Sequence, residues 1–414
     1  MRNGGVPKWL KGTVCKTVIH RFESDRRLYY LPQRKKVFKP QRTQRSQRIY
    51  MKAAVLTGIR RIEIADVPKP VIANSNDVLL KVAVVGICGS DVHYYLRGKI
   101  GSQVVKYPFI AGHECSAVVE ATGKKVKRIK PGDEVVVEPA ISCDKSASAD
   151  KCRQCKMGRE NTCEKLQFLG TPGQLGGCLC EYIVMPEDCC LPTRGKITLE
   201  EAALCEPLAI GVYTVKQAKV KRGDKVAILG SGPIGLSCMS AARHNGVREI
   251  YMTDKLDYRV EFAKKIGAKW AGKAEEDKRN VQYPTLNAKF PIQEGGVDVV
   301  CECAGQQETV DEAVEILRPG GKLMIVGIPP FERFSFPADK ARRKEITIYN
   351  VRRQNRCTIE AMKLAEKKRL NPPKGRRVKI GSLVTHRFKL EQAGDALEMV
   401  ADYRDGVIKA VIGL

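Results

Sequence analysis

Histidine is scarce in this chain, with 5 in 414 residues. Long apolar runs are missing: no window reaches the roughly 18 uninterrupted apolar residues that span a bilayer. No apolar stretch of about 7–15 residues, the core of a secretory signal, is visible near the start. These absences predict a chain that neither crosses a membrane nor is exported. Acidic residues are also in deficit, 46 against 73 Lys+Arg, for a net charge of +27. That charge raises a nucleic-acid or anionic-surface partner, yet no RRM, KH or helix-turn-helix pattern accompanies it. No internal repeat is apparent.

What is present points to a globular protein. A hydrophobic fraction of 43% excludes a wholly disordered chain, and the length suits two or three domains. The 16 cysteines, without secretion, read as thiols and metal ligands rather than a disulfide framework, which predicts a cytoplasmic location.

The charge is unevenly spread. Residues 1–50 hold 14 Lys/Arg and 2 acids, a net of +12, and the rest carries +15. This segment shows no sustained apolar period and ends where Met51-Lys52-Ala53-Ala54-Val55-Leu56 begins to read as a strand. It is expected to be a disordered extension or a start placed too far upstream. A targeting peptide and a nucleic-acid-binding arm are the functional alternatives. Targeting peptides are Arg-rich and acid-poor, as here, but also Ser-rich and amphipathic, which this segment is not.

Residues 51–138 alternate short Val/Ile-rich runs with Gly/Pro turns, so β-structure is expected. Residues 139–180 are rich in Cys, Gly and Lys and predict an irregular lobe. From about Leu199, strand-like runs (Lys225–Leu229, Glu249–Thr253, Val297–Cys301, Lys322–Val326) alternate with helical patterns. That is a βαβ series, hence a parallel sheet covered by helices. The tail Gly406–Ile412 is strand-like again and could return to the first domain.

The run Val226-Ala227-Ile228-Leu229 leads into Gly230-Ser231-Gly232-Pro233-Ile234-Gly235 and then a helix-compatible segment. Gly230 permits the tight turn, Gly232 lets backbone approach a pyrophosphate, and Gly235 allows close helix–strand packing. The helix N-terminus adds amide donors and a positive dipole. Asp254 follows Gly235 by 19 residues at the end of the next strand. An acid there accepts both ribose hydroxyls and repels a 2′-phosphate, so NAD is expected over NADP. Lys255 and Arg259 lie close enough to soften that repulsion.

Cys88 opens Cys88-Gly89-Ser90-Asp91-Val92-His93, and His113 follows it by 25 residues in Gly112-His113-Glu114. Thiolate, imidazole and carboxylate are the ligand types of catalytic zinc. Glu206, in Cys205-Glu206-Pro207, is a further carboxylate. On spacing alone, a metal site and a set of ordinary core residues both remain open.

These segments together resemble the zinc-dependent medium-chain alcohol/polyol dehydrogenases, most closely those acting on sorbitol and xylitol. The resemblance spans Met51 to Leu414. Gly86 to Tyr94, Gly112-His113-Glu114, Lys130 to Val135, Glu206-Pro207-Leu208 and Leu383 to Phe388 carry it. It implies a GroES-like β-rich catalytic domain over residues 51–209 and 356–414. A Rossmann doubly wound parallel-sheet domain, residues 210–355, is then inserted in it, and the active site lies in the cleft. It further implies that Cys88, His113 and Glu114 bind catalytic zinc. Glu206 either hydrogen-bonds the zinc water or exchanges with Glu114 as ligand. Asp91 orients His113. Ser90 takes the alcohol proton and passes it through the ribose hydroxyls toward His93, while hydride moves to the nicotinamide. Tyr94 and Arg353 match polyol-contacting positions. The family also implies a dimer or tetramer.

Three departures stand out. Ala117 replaces a usual Gly. Arg352-Arg353-Gln354-Asn355 stands where animal members read Phe-Arg-Tyr, so a more polar, cationic pocket is expected. The family's structural zinc motif is Cys-x2-Cys-x2-Cys-x7-Cys. Here Cys152, Cys155 and Cys163 keep the spacing, but eight residues separate Cys143 from Cys152. A polar insert can loop out and leave four thiolates around zinc; a metal-free lobe and surface thiols are the alternatives.

Of the other thiols, Cys189-Cys190 reads as strand packing. Cys301 and Cys303 read as core residues alternating on one strand, and Cys178 and Cys180 likewise as core. His244 and His386 show no metal partner, and His20 lies in the extension. The runs Lys124–Lys130 and Lys374–Lys379 read as solvated turns. The expected function is hydride transfer from a polyol or secondary alcohol to NAD, giving a ketone. L-threonine, sugar and diol dehydrogenases are the alternatives within the family. A nucleic-acid-binding protein acting through its basic arm is the alternative outside it.

Overall fold

The computed structural model describes residues 49–146, 150–274, 291, 295–367 and 380–414. Residues 1–48 of the basic extension, with His20, and the run Lys374–Lys379 lie outside these described residues.

The Val/Ile-rich first part pairs into sheets, because β-branched residues pack well on a pleated surface. Tyr50–Gly58 pairs antiparallel with Arg61–Pro68. A seven-stranded sheet is centred on Asp77–Gly86, which is flanked by Glu114–Thr122 and by Lys409–Gly413 and also pairs Tyr182–Pro186. The tail therefore does return to the first sheet, antiparallel to Asp77–Gly86 through Val411, Ile412 and Gly413. Leu56, Leu80, Val85 and Met185 fill the core of this part. Each buried apolar side chain of that size contributes about 1.5–3 kcal/mol.

The second part is a six-stranded sheet, parallel throughout. Across it the strands run Trp270–Lys273, Glu249–Asp254, Lys225–Leu229, Val297–Glu302, Leu317–Ile325 and Thr347–Asn350. In order of appearance that is third, second, first, fourth, fifth, sixth, the doubly wound arrangement of dinucleotide-binding folds. Strand order reverses between Lys225–Leu229 and Val297–Glu302, which opens a crevice at their carboxyl ends. Cys301 is buried in this sheet, but Cys303 lies one residue beyond the strand and is only half-buried. The expected alternation of the two within one strand is corrected accordingly.

The helix Cys205–Gln217 joins the two parts. Its Gly211 lies against Ser237 on the helix Pro233–His244, where a Cβ would sit 2.3 Å from the Ser237 carbonyl carbon. Absence of a side chain brings the two helices together, so Glu206 is fixed relative to the glycine-rich loop.

Candidate active site

Strand register builds the first cluster. Gly86 pairs opposite Glu114, so the turn after Asp77–Gly86 delivers Cys88 beside His113 and Glu114. Ligand atoms of Cys88, His113 and Glu114 all lie within 4.8 Å of one another. Cys88 is also the N-cap of the helix Gly89–Arg97, which carries Ser90, Asp91, His93 and Tyr94.

Asp91 is fully buried. Its Oδ1 lies 3.6 Å from His113 Nδ1 and accepts the Gly112 amide at 3.0 Å. Its Oδ2 accepts the Cys88 amide at 3.0 Å. Burial opposes its charge, but His113 and these amides outweigh burial and hold the carboxyl below its ordinary value. Burial also opposes charge on His113, yet Cys88 and Asp91 carry the imidazole well above its usual range. Burial raises Glu206 to about 7, with Glu114 adding to the rise and His113 opposing it. Its Oε2 is buried with no hydrogen-bond partner.

Lys409, 2% exposed, enters from the last strand. Its ammonium pairs with Glu114 Oε2 and donates to the Ile87 carbonyl at 2.9 Å. Sulfur, nitrogen and oxygen donors, an unpartnered Glu206 oxygen and crowded acidic groups fit a divalent cation such as zinc.

Ser90 Oγ donates to Cys88 Sγ at 3.2 Å. His93 is half-buried on the same helix. Burial first, then Arg97, lowers its pKa, so it is neutral at neutral pH. The Tyr94 hydroxyl donates to Gln103 Oε1 at 3.2 Å. Arg353 reaches the site from the other part of the chain. Its guanidinium lies 3.5 Å over the Phe168 ring, and the His113 ring lies 5.5 Å from that ring between centroids. Arg353 Nη2 donates to Thr171 Oγ1 at 3.4 Å, while Nη1 is buried without a partner. Glu206, Phe168 and Arg353 line one cavity.

The glycine-rich turn lies at the crevice between the two central strands. Gly230 adopts φ +102°, and a Cβ on Gly235 would meet the Gly230 carbonyl oxygen at 1.9 Å. Pro233 is the first residue of the following helix, with Ile234 next to it. Asp254 accepts the Ser231 amide at 2.8 Å on one oxygen and the Leu256 amide at 3.0 Å on the other. Arg259 Nη1 lies 3.8 Å from Asp254 and borders Gly232.

The second cysteine set also assembles. Sulfurs of Cys143, Cys152, Cys155 and Cys163 fall within 4.8 Å of one another, despite the longer first gap. Cys143 accepts the Cys152 amide at 3.2 Å and Cys163 accepts the Cys143 amide at 3.3 Å. Four converging sulfurs fit a tetrahedral thiophilic ion. All fifteen cysteines among the described residues are free thiols.

Sequence reasoning missed Lys409 and Phe168. It also missed Glu302, whose Oε1 accepts the Ala304 and Gly305 amides and the Thr309 hydroxyl at 2.7–2.8 Å. Glu302 ends the strand beside the crevice and shapes the turn there.

Comparison with known proteins agrees with this architecture. Residues 74–195 match the alcohol dehydrogenase GroES-like domain family, and residues 233–367 match the zinc-binding dehydrogenase family. The chain is 36% identical to a sorbitol dehydrogenase of Bacillus subtilis (strain 168) over 362 residues, 87% of this chain and 97% of that protein. It is 37% identical to a D-xylulose reductase A of Aspergillus oryzae over 350 residues, 84% and 92% of the two chains. A solved Escherichia coli oxidoreductase/dehydrogenase of unknown specificity, involved in membrane biogenesis, superposes with a TM-score of 0.75 at 30% identity. That match covers 88% of this chain and 99% of the other. The chain belongs to the zinc-containing medium-chain alcohol and polyol dehydrogenases, and it is an oxidoreductase. No helix among the described residues is long and apolar enough to cross a membrane.

Proposed function

We propose that this protein is a zinc-dependent, NAD-preferring polyol dehydrogenase that oxidises a secondary alcohol of a sugar alcohol to a ketone. The convergence of Cys88, His113 and Glu114 carries this reading, and the doubly wound parallel sheet with its glycine-rich turn supports it. Likeness to a sorbitol dehydrogenase and a D-xylulose reductase supports the substrate class. NAD, when bound, would supply the acceptor for the C–H hydride, and the hydroxyl proton leaves to solvent.

Cys88, His113 and Glu114 would hold zinc, which when bound supplies Lewis acidity for hydroxyl ionisation. Asp91 fixes the ring and tautomer of His113. Glu206, buried and raised to about 7, stands next to the ligands as hydrogen-bond partner or exchanging carboxylate. Ser90 would take the hydroxyl proton and pass it, through the ribose hydroxyls, toward His93 on the same helix. Asp254 would hold the ribose hydroxyls, and the N-terminus of the Pro233–His244 helix would hold the pyrophosphate. Arg353 and Tyr94 orient the polyol hydroxyls, which confers near-attack geometry. Cys143, Cys152, Cys155 and Cys163 would hold a second, structural zinc. A cytoplasmic dimer or tetramer completes the reading.

The test is turnover on a substrate panel with the zinc-loaded protein and NAD. Xylitol and sorbitol should be oxidised well above L-threonine, glucose and 2,3-butanediol. Good turnover of one of the latter with none on polyols overturns the substrate assignment.

A further inference from the structure

The cysteine lobe and the segment after the strand Thr347–Asn350 are joined by a dense set of polar contacts. Arg352 and Asn161 bond reciprocally: Asn161 Nδ2 donates to the Arg352 carbonyl at 2.9 Å, and Arg352 Nε donates to the Asn161 carbonyl at 3.2 Å. Asn355 does the same on the other side of Arg353. Its Nδ2 donates to the Gly158 carbonyl at 2.9 Å, and its Oδ1 accepts the Glu160 amide at 3.2 Å. Gly158, Glu160 and Asn161 all lie between Cys155 and Cys163, inside the span that the sulfurs close.

Arg353 itself is held at φ +53°, a left-handed conformation that an arginine rarely adopts unaided. Such a backbone persists only when its surroundings over-determine it. A buried knot supplies further restraint. Glu138 accepts Gln354 Nε2 and Thr358 Oγ1, each at 3.0 Å. Lys145, from the long gap between Cys143 and Cys152, pairs with that same carboxylate. The residues on both sides of Arg353 are thus pinned to the lobe. The guanidinium, pinned in consequence, lies over Phe168 beside His113.

We infer that the cysteine lobe is the positioning device for Arg353, so that lobe metal, through Asn161 and Asn355, sets affinity for the polyol. Asn355 touches no reacting group; it acts through Arg353. This rests on the reading of the site as a polyol dehydrogenase, and it explains why the segment departs from Phe-Arg-Tyr. Arg352 and Asn355 bond to the lobe and Gln354 to Glu138, while in this segment it is Arg353 that carries a buried nitrogen without a partner.

The experiment uses Asn355→Ala, Arg353→Ala and the double variant in the full zinc-loaded protein. A tenfold change in KM for the polyol corresponds to about 1.4 kcal/mol, within what two lost hydrogen bonds supply. Asn355→Ala should raise that KM by about tenfold, leaving kcat, NAD affinity and zinc content unchanged. Asn355→Asp, which keeps the acceptor for the Glu160 amide, should recover part of the loss. In the Arg353→Ala background Asn355→Ala should add nothing, because its effect passes through the missing side chain. Full additivity overturns the inference.

Hydrogen exchange gives a readout that needs no turnover. Asn355→Ala, and Cys155→Ser lacking lobe metal, should each speed exchange in residues 351–358 while leaving the strand Lys225–Leu229 protected. If exchange in 351–358 stays at the wild-type rate in Asn355→Ala, the lobe does not position that segment. Absence of polyol oxidation in the wild type would defeat the functional reading instead, and the exchange result would still decide the coupling.

Discussion

Lys409 and Glu114 form an ion pair inside the protein, with 2% and 1% of their side chains exposed. They lie 295 residues apart in the chain and meet because the last strand pairs with Asp77–Gly86. Gly86 makes room, since a Cβ there would sit 2.3 Å from Glu114 Oε2. The pair supplies a counter-charge to a carboxylate that also faces the metal position. Removing one partner of a buried pair typically costs about 3–5 kcal/mol. Lys409→Met should therefore lower the urea midpoint strongly in chelator-treated protein. The loss should be smaller with zinc, whose charge compensates Glu114. Equal losses in the two states would contradict this account of the pair.

The two sulfur-containing clusters predict two zinc ions per chain. Elemental analysis of protein purified without chelator should give about two. Cys155→Ser should give about one and retain the catalytic ion. One zinc in the wild type would mean that the lobe closes without metal.

The proposed reading gives Asp254 the cofactor preference. Replacing a carboxylate that accepts ribose hydroxyls costs about 1.5–3 kcal/mol. Asp254→Ser should thus reduce kcat/KM with NAD by roughly 10- to 100-fold. Arg259, 3.8 Å away, is then released to meet a 2′-phosphate, so the value with NADP should hold or rise. An unchanged NAD to NADP ratio would remove Asp254 from the cofactor assignment.

Glu312 offers a prediction remote from chemistry. It is 4% exposed on the helix Gln307–Ile316, its Oε2 has no hydrogen-bond partner, and burial pushes its pKa up to about 8. The native state keeps the proton where the unfolded chain has lost it. Stability contributed by this group therefore falls as pH rises from about 4.5 toward 8, by about 3 kcal/mol at pH 7. Glu312→Met should raise Tm at pH 7.5 and flatten its pH dependence across that window. No gain in Tm would show that the carboxyl is paired or solvated.

Much of this was legible in the sequence, for physical reasons. Lys225–Leu229 and Val297–Glu302 are buried parallel strands, and continuous apolar runs announce them. Gly230 and Gly235 are required by a turn and a close approach, so the residues themselves report the geometry. Cys88, His113 and Glu114 belong to local motifs. Lys409 was not legible: a lysine in a terminal strand reads as facing water, and nothing local reveals its distant partner. The grip of Asn161 and Asn355 on opposite segments was hidden for the same reason, since side-chain to backbone bonds across about two hundred residues leave no periodicity. Cys303 was misplaced because a strand end depends on the turn that Glu302 organises.

The central claim is that a metal held by Cys88, His113 and Glu114 activates a polyol hydroxyl for hydride transfer to NAD. The most direct measurement is NADH formation from xylitol or sorbitol by the wild type and by Cys88→Ala, each assayed with its zinc content determined. The account predicts turnover in the wild type, loss of at least about a thousandfold in Cys88→Ala, and retention of the lobe zinc in that variant. Full activity in Cys88→Ala, with the catalytic zinc absent, would contradict it.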